Sequence, residues 1–166
     1  MKTLKLFSLF FVGILITSLG SCECFRKKNI TPNKTAETTD LLKGKTFKAF
    51  QIKEGSTIVY KDGATNNIIP GYSQFRLTLD IDSRPVQIVK LVEFTGEKFN
   101  GHWELAEYGT GKQMLKLTEL TPQPTNTNGT IEFEVKEITA TKLLLNSLKD
   151  NLKTGGTINE YHLIPE

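Results

Sequence analysis

The sequence predicts an all-β domain of about nine short antiparallel strands, arranged as a closed barrel or a sandwich. Three observations carry this. First, apolar and polar residues alternate with period two. Phe75, Leu77, Leu79 and Ile81 are separated by Arg76, Thr78 and Asp80; Phe99, Gly101, Trp103 and Leu105 by Asn100, His102 and Glu104; Ile131, Phe133 and Val135 by Glu132 and Glu134. Each run reads as a strand with one buried and one solvated face, the habit of antiparallel sheets. Second, turn signals such as Lys61-Asp62-Gly63, Thr95-Gly96-Glu97 and Thr154-Gly155-Gly156 punctuate the chain at about eight- to twelve-residue spacing. Third, helical periodicity is almost absent. Between the two architectures, closure removes the exposed strand edges that invite aggregation.

Taken from the N-terminus, Met1–Ser21 has the build of a secretory signal peptide. Lys2 and Lys5 make a basic start, and Leu6–Ile16 is apolar apart from Ser8 and Gly13. Leu19-Gly20-Ser21-Cys22 then resembles the lipobox of bacterial lipoproteins. The resemblance implies cleavage before Cys22, a diacylglycerol on its thiol and acylation of its new amino group. One chain holds a protein to a membrane only marginally, whereas two or three hold it effectively permanently. Loss of residues 1–21 removes two lysines and no acid, so 19 basic residues then face 18 acidic ones. Glu23 in place of Asp leans toward the outer membrane. The basic run Arg26-Lys27-Lys28 does not match the acidic run of surface-exported lipoproteins, which favours the periplasmic face. Cys24 then has no intramolecular disulfide partner.

Residues 22–40 read as a lipidated N-terminus and flexible tether, because Asn29–Asp40 is polar, Thr-rich and without an apolar period. The β domain spans 41–166. Besides the three alternating runs, strands fit Thr46–Lys53, Thr57–Lys61, Val86–Phe94, Gln113–Leu120, Lys142–Ser147 and Ile158–Ile164. Short helix is expected at most in Leu41–Lys45 and Leu148–Lys153. Val86–Phe94 and Leu143-Leu144-Leu145 have apolar residues on both faces, so each is either covered twice or part of an exposed patch.

Several short motifs now line up: Leu42-Lys43-Gly44-Lys45-Thr46-Phe47, Phe94-Thr95-Gly96, Gly101-His102-Trp103-Glu104-Leu105, Leu115-Lys116-Leu117-Thr118, Val135–Thr139 with Leu143–Leu145, and Tyr161–Pro165. Their order resembles the lipocalin-like domains of Bacteroidetes lipoproteins. Phe47 stands where that group usually has Trp, and Ser56–Ser73 has no counterpart. The resemblance implies an antiparallel lipocalin-like barrel of eight to nine strands.

The chemistry of the chain points away from catalysis. It has 166 residues, 38% hydrophobic and 23% charged, as expected of one globular domain. Its net charge of +3 is dispersed, which excludes the basic stripe of a nucleic-acid binder. Two cysteines exclude a disulfide scaffold. His102 and His162 lie far apart with no companion ligands, so neither a metal nor a cofactor is expected. Gly109-Thr110-Gly111-Lys112 lacks the spacing of a phosphate loop, and no nucleophile motif occurs.

The expectation is a non-enzymatic, lipid-anchored envelope protein, bound to the membrane through Cys22. Its barrel would take a small apolar ligand between Phe75, Leu77, Phe99, Trp103, Leu115 and Phe133. The alternative is a filled barrel, with Leu117, Ile131 and Val135 adding bulk inside, that acts as a protein-binding envelope module, an assembly partner or a hydrolase inhibitor, docking through the loop Ile68-Ile69-Pro70-Gly71-Tyr72. A carboxylate-pair enzyme ranks last.

Overall fold

The structure is a computed structural model that describes residues 34–84, 86–149 and 154–166. The signal peptide, Cys22 and Cys24 lie outside these residues, as do residues 150–153 of the short helix expected at Leu148–Lys153. Helix α1 (Lys34–Leu42) precedes nine strands: β1 (Lys45–Glu54), β2 (Thr57–Lys61), β3 (Arg76–Ile81), β4 (Gln87–Val92), β5 (Lys98–Tyr108), β6 (Lys112–Thr121), β7 (Ile131–Ile138), β8 (Leu143–Ser147) and β9 (Asn159–Pro165). A 3-10 helix, Pro70–Gln74, sits between β2 and β3.

Every pairing is antiparallel, and the sheet closes because β1 pairs with β9 from Phe47↔Pro165 to Glu54↔Asn159. Eight strands complete the circle. The ninth, β2, lies on the same flank of β1 as β3. Lys45–Lys48 pair with β3 and Gln51–Glu54 with β2, so one stave of the barrel is split in two by the excursion 62–75. Shifts of register at Ala49/Gln51, Ile52/Lys53, Asn100/His102 and Val135/Glu137 bend the strands sharply enough to close. At the third of these, Glu119 has φ +53, and a Cβ on Gly101 would lie 2.4 Å from the Thr118 carbonyl oxygen. Only glycine fits there.

The inward faces follow the period-two pattern. Phe47, Leu77, Leu79, Val89, Leu91, Phe99, Trp103, Leu115, Leu117, Leu145 and Leu163 are all buried in one core. The two-sided strands resolve in the same way: Val89 and Leu91 of β4, and Leu143 and Leu145 of β8, point in. Ile88, Val92 and Leu144 lie half-buried on the outer face.

The expected tether to Asp40 and short helix at Leu41–Lys45 are corrected here. The helix begins at Lys34 and ends at Leu42. Leu42 is completely buried in the core, and the Gln113 amide donates to Thr38 Oγ1 at 3.4 Å. Docking of one leucine and one hydroxyl outweighs the weak helix propensity of a Thr-rich stretch. Gly44, at φ +71, turns the chain into β1 and donates to the Leu79 carbonyl.

Candidate functional site

The two ends of the barrel differ. At the end where β1 begins, Leu42 enters the core and Trp103 is 2% exposed. The Trp103 indole N–H donates to the Asp80 carbonyl at 2.9 Å, so its only polar atom is satisfied. At the opposite end the connections gather: the excursion 62–75, the turn Glu93–Glu97, residues 122–130, and residues 148–149 and 154–158. There the core stops short of the rim and leaves a cavity of about 240 Å³.

Aromatic rings wall this cavity. Tyr72, Phe75, Phe94, Phe133 and Tyr161 all line it, with Leu91 and Ile131. Tyr161 is the hub. Its ring centroid lies 5.5 Å from that of Phe75 and 5.5 Å from that of Phe133, the latter pair edge-on at 82°. Tyr72 is 6.5 Å away at 74° and itself stacks on Phe94 at 4.8 Å. Above the rings is a polar rim that includes Glu93, Thr125, Asn126, Asn128, Glu132, Ser147 and Lys149. Lys149 approaches Glu132 at 3.7 Å.

Tyr72 reaches the site because the 3-10 helix presses against the β4–β5 turn. A Cβ on Gly71 would lie 2.4 Å from the Phe94 carbonyl oxygen, so this approach needs glycine. The Tyr72 hydroxyl donates to Glu54 Oε1 at 3.0 Å. Burial pushes its pKa far above the usual phenol value, and the charges near it, Glu54 and Glu93 among them, add to the shift. It stays a protonated donor at every physiological pH. Behind the rim, Asn159 is fully buried and accepts from Thr154 and Thr157, and its backbone N–H donates to Ser147 Oγ. These bonds brace the β8–β9 connection against the cavity wall.

Of the six interior residues expected to touch a ligand, Phe75 and Phe133 border the cavity. Leu77, Phe99, Trp103 and Leu115 do not, because bulky neighbours fill the barrel around them. The expected partner loop also divides. Ile68 is 66% exposed, but Ile69 is half-buried against the core and Tyr72 is buried. The reason lies in β2: its outer edge needs a partner, and the Ile69 N–H supplies one by donating to the Val59 carbonyl at 3.0 Å. Leu91, Glu93, Phe94, Tyr161 and residues 124–128 complete the cavity and were not singled out by the sequence. The long connections 62–75 and 122–130 are the features that mark this end, since long ordered loops usually carry function.

Among the described residues no group of three or more His, Cys, Asp or Glu side chains could hold a metal ion, and no helix is long and apolar enough to cross a membrane. The fold and site together define a closed antiparallel barrel with a filled interior and an aromatic cup at its mouth. No known protein family and no curated protein matches the sequence. Two solved structures are similar in shape. A lipocalin-like protein from Bacteroides uniformis has a TM-score of 0.41 and 14% identity, covering 75% of this chain and 97% of that one. An uncharacterized protein from Bacteroides eggerthii has a TM-score of 0.39 and 15% identity, covering 74% and 98%. The barrel assignment rests on the strand pairing itself.

Proposed function

We propose that this chain is a non-enzymatic binding protein of the bacterial envelope, anchored through lipid on Cys22 and facing the periplasm from the outer membrane. It takes one small ligand end-on at the barrel mouth. The observation that carries the binding role is the cavity of about 240 Å³, walled by aromatic side chains beneath a polar rim. The anchoring role is supported by Leu19-Gly20-Ser21-Cys22 and the apolar run before it. A pocket for a drug-sized molecule is about 300–1,000 Å³, so the ligand is smaller than that or enters only in part. Each buried methylene contributes about 0.8 kcal/mol, and a cup this size holds few of them. Polar rim groups must then supply much of the affinity.

Native mass spectrometry of the protein from its own host, expressed as Cys22→Ala, tests the binding role. A reproducible small adduct is expected that organic extraction removes and that Ile131→Trp, which fills the cup, abolishes. A clean apo mass, or an adduct indifferent to Ile131→Trp, overturns it. Cys22→Ala tests the anchor too: the variant should leave the detergent phase for the aqueous phase.

A second reading, a protein-docking module, draws on a different observation. Phe50 and Ile58, on the paired strands β1 and β2, and Ile68 beyond them are all exposed. Ile58→Ser with Ile68→Ser should then abolish co-purification of an envelope partner while leaving the melting temperature unchanged. Ile69 is unsuitable for this test because it packs on the core.

A further inference from the structure

One loop at the mouth narrows the ligand class. Residues 122–130 brace themselves from within. The Thr127 hydroxyl and backbone N–H both donate to the Pro124 carbonyl, at 2.8 and 3.3 Å, and the Thr130 N–H donates to the Thr127 carbonyl at 3.0 Å. The Gly129 carbonyl accepts from the Leu120 N–H at 3.0 Å, and Pro124 and Gly129 are buried. Thr125, Asn126 and Asn128 are exposed and line the cavity, and among the described residues their side chains have no hydrogen-bond partner. Asn126 and Asn128 hold φ of +62 and +49. This left-handed backbone costs free energy for every residue but glycine, and such strain gathers at ligand clamps. Glycine would hold the same backbone without strain, whereas asparagine adds an amide that the loop itself does not use. The same cavity offers Phe94, which is half-buried while its other four rings are buried, and Tyr72 backs it at 4.8 Å.

We infer that the mouth cavity takes a single sugar ring, its C–H face against Phe94 and its neighbouring hydroxyls on the side chains of Thr125, Asn126 and Asn128. This rests on the binding role given to the same cavity above. An asparagine amide sets a donor beside an acceptor, and two adjacent hydroxyls do the same, so each satisfies the other in both directions. The C–H groups of a sugar are weakly positive and suit the negative face of an aromatic ring. A hydrocarbon uses the rings and leaves the amides to water. The volume of about 240 Å³ lies below that of pockets for drug-sized molecules, which fits one ring better than a chain of them. A free monosaccharide and the terminal sugar of a glycan offer the same ring.

The methyl glycosides of glucose, galactose, mannose and N-acetylglucosamine are the probes, and cyclohexanol keeps the ring shape without the neighbouring hydroxyls. Each is titrated into the full chain in a detergent without a sugar headgroup. The ring of Phe94 and the side-chain amides of Asn126 and Asn128 are followed by NMR, with the Trp103 indole as a distant control. At least one glycoside should shift them saturably, at a concentration at least about fivefold lower than cyclohexanol, with Trp103 unmoved. Asn126→Gly with Asn128→Gly keeps the backbone, because glycine adopts positive φ freely, and removes both amides. Read at Phe94, the pair should weaken that glycoside at least about fivefold and cyclohexanol less than about twofold. Phe94→Leu, read at the amides, should weaken the glycoside about threefold. The matching disaccharide separates the two sources: equal affinity marks a free sugar, and tighter binding marks the end of a glycan.

Cyclohexanol binding as tightly as every glycoside overturns the sugar inference and leaves the binding role of the cavity standing. No shift with any of the compounds also overturns it, and the adduct experiment above then decides the binding role by itself. Glycoside binding that neither the paired glycine variant nor Phe94→Leu weakens would place the sugar elsewhere on the protein, and that overturns the inference too.

Discussion

The two ends of this barrel use side chains of similar bulk for opposite purposes. At one end Leu42 and Trp103 fill the interior, and the indole N–H finds a backbone carbonyl. At the other, five aromatic residues surround a space instead of filling it, and their polar partners sit at the rim. The first end packs its interior closely. The second keeps an opening, and the cost is borne by bracing bonds such as Tyr72 to Glu54 and Asn159 to Thr154 and Thr157. A barrel wall is the same at both ends, so what decides filling against cavity is the connections. One short helix inserts a plug; at the other end Tyr72 and Phe94, both in connections, complete a wall of rings begun by Phe133 of β7 and Tyr161 of β9.

The contrast predicts a gradient of mutational cost. The largest effect is expected for Trp103→Ala at the filled end, about 3–5 kcal/mol by denaturant unfolding, because a large buried side chain leaves a hole the closed wall cannot collapse. A loss below about 2 kcal/mol would mean that this end is as loosely filled as the other. Leu42→Ala should cost less, about 2–3 kcal/mol, since helix α1 can settle inward, and amide exchange should speed up in Thr38–Leu42 before anywhere else. Unchanged protection there would show that the helix is held by something other than its leucine.

At the open end, Tyr72→Phe removes one hydrogen bond and keeps the ring. It should lower stability by only about 1 kcal/mol, since Glu54 can turn to water. The smallest effect is expected on the outer wall near the mouth. Lys53 donates to Glu160 at 2.7 Å, and His162 lies 2.6 Å from the same oxygen. The hydrogen bond from Lys53, then the one with His162, hold the Glu160 carboxyl below its usual pKa. The unfolded chain therefore takes up the proton at higher pH than the folded one. The stabilisation is complete above the unfolded pKa of about 4.3 and fades as pH falls through the lower folded value. Glu160→Gln should cost about 0.5 kcal/mol at pH 7, and the gap from the parent should close below about pH 4. Melting curves that stay parallel down to pH 3 would show that the cluster adds nothing.

The barrel wall was legible in the sequence because a strand with one wet face has to alternate. All nine expected strands form, and Thr57–Lys61 has the same limits in both readings. What closes the ends was not legible. Helix α1 is made of residues that read as tether, and one buried leucine beyond them decides its fate. Period two also says which residues point inward but nothing about how far the interior is filled. Leu77 and Phe75 share a face and both belong to the core, yet only Phe75 also borders the cup. Ile69 and Tyr72 looked like surface because they lie in a long loop. They are inside because β2 presents an edge that the same loop must cover.

The pairing of β1 with β9 bears on how such a chain comes to fold as it is made. Phe47 meets Pro165 and Glu54 meets Asn159, so the seam joins residues more than a hundred positions apart. While a nascent chain lacks β9, the far flank of β1 and that of β8 are both bare, and neighbouring chains can pair with them. The ring is completed only after translation has passed Pro165. Domains dominated by such remote pairings reach the native state in about milliseconds to seconds, so an emerging chain spends its vulnerable interval with two sticky edges and no core to hide them.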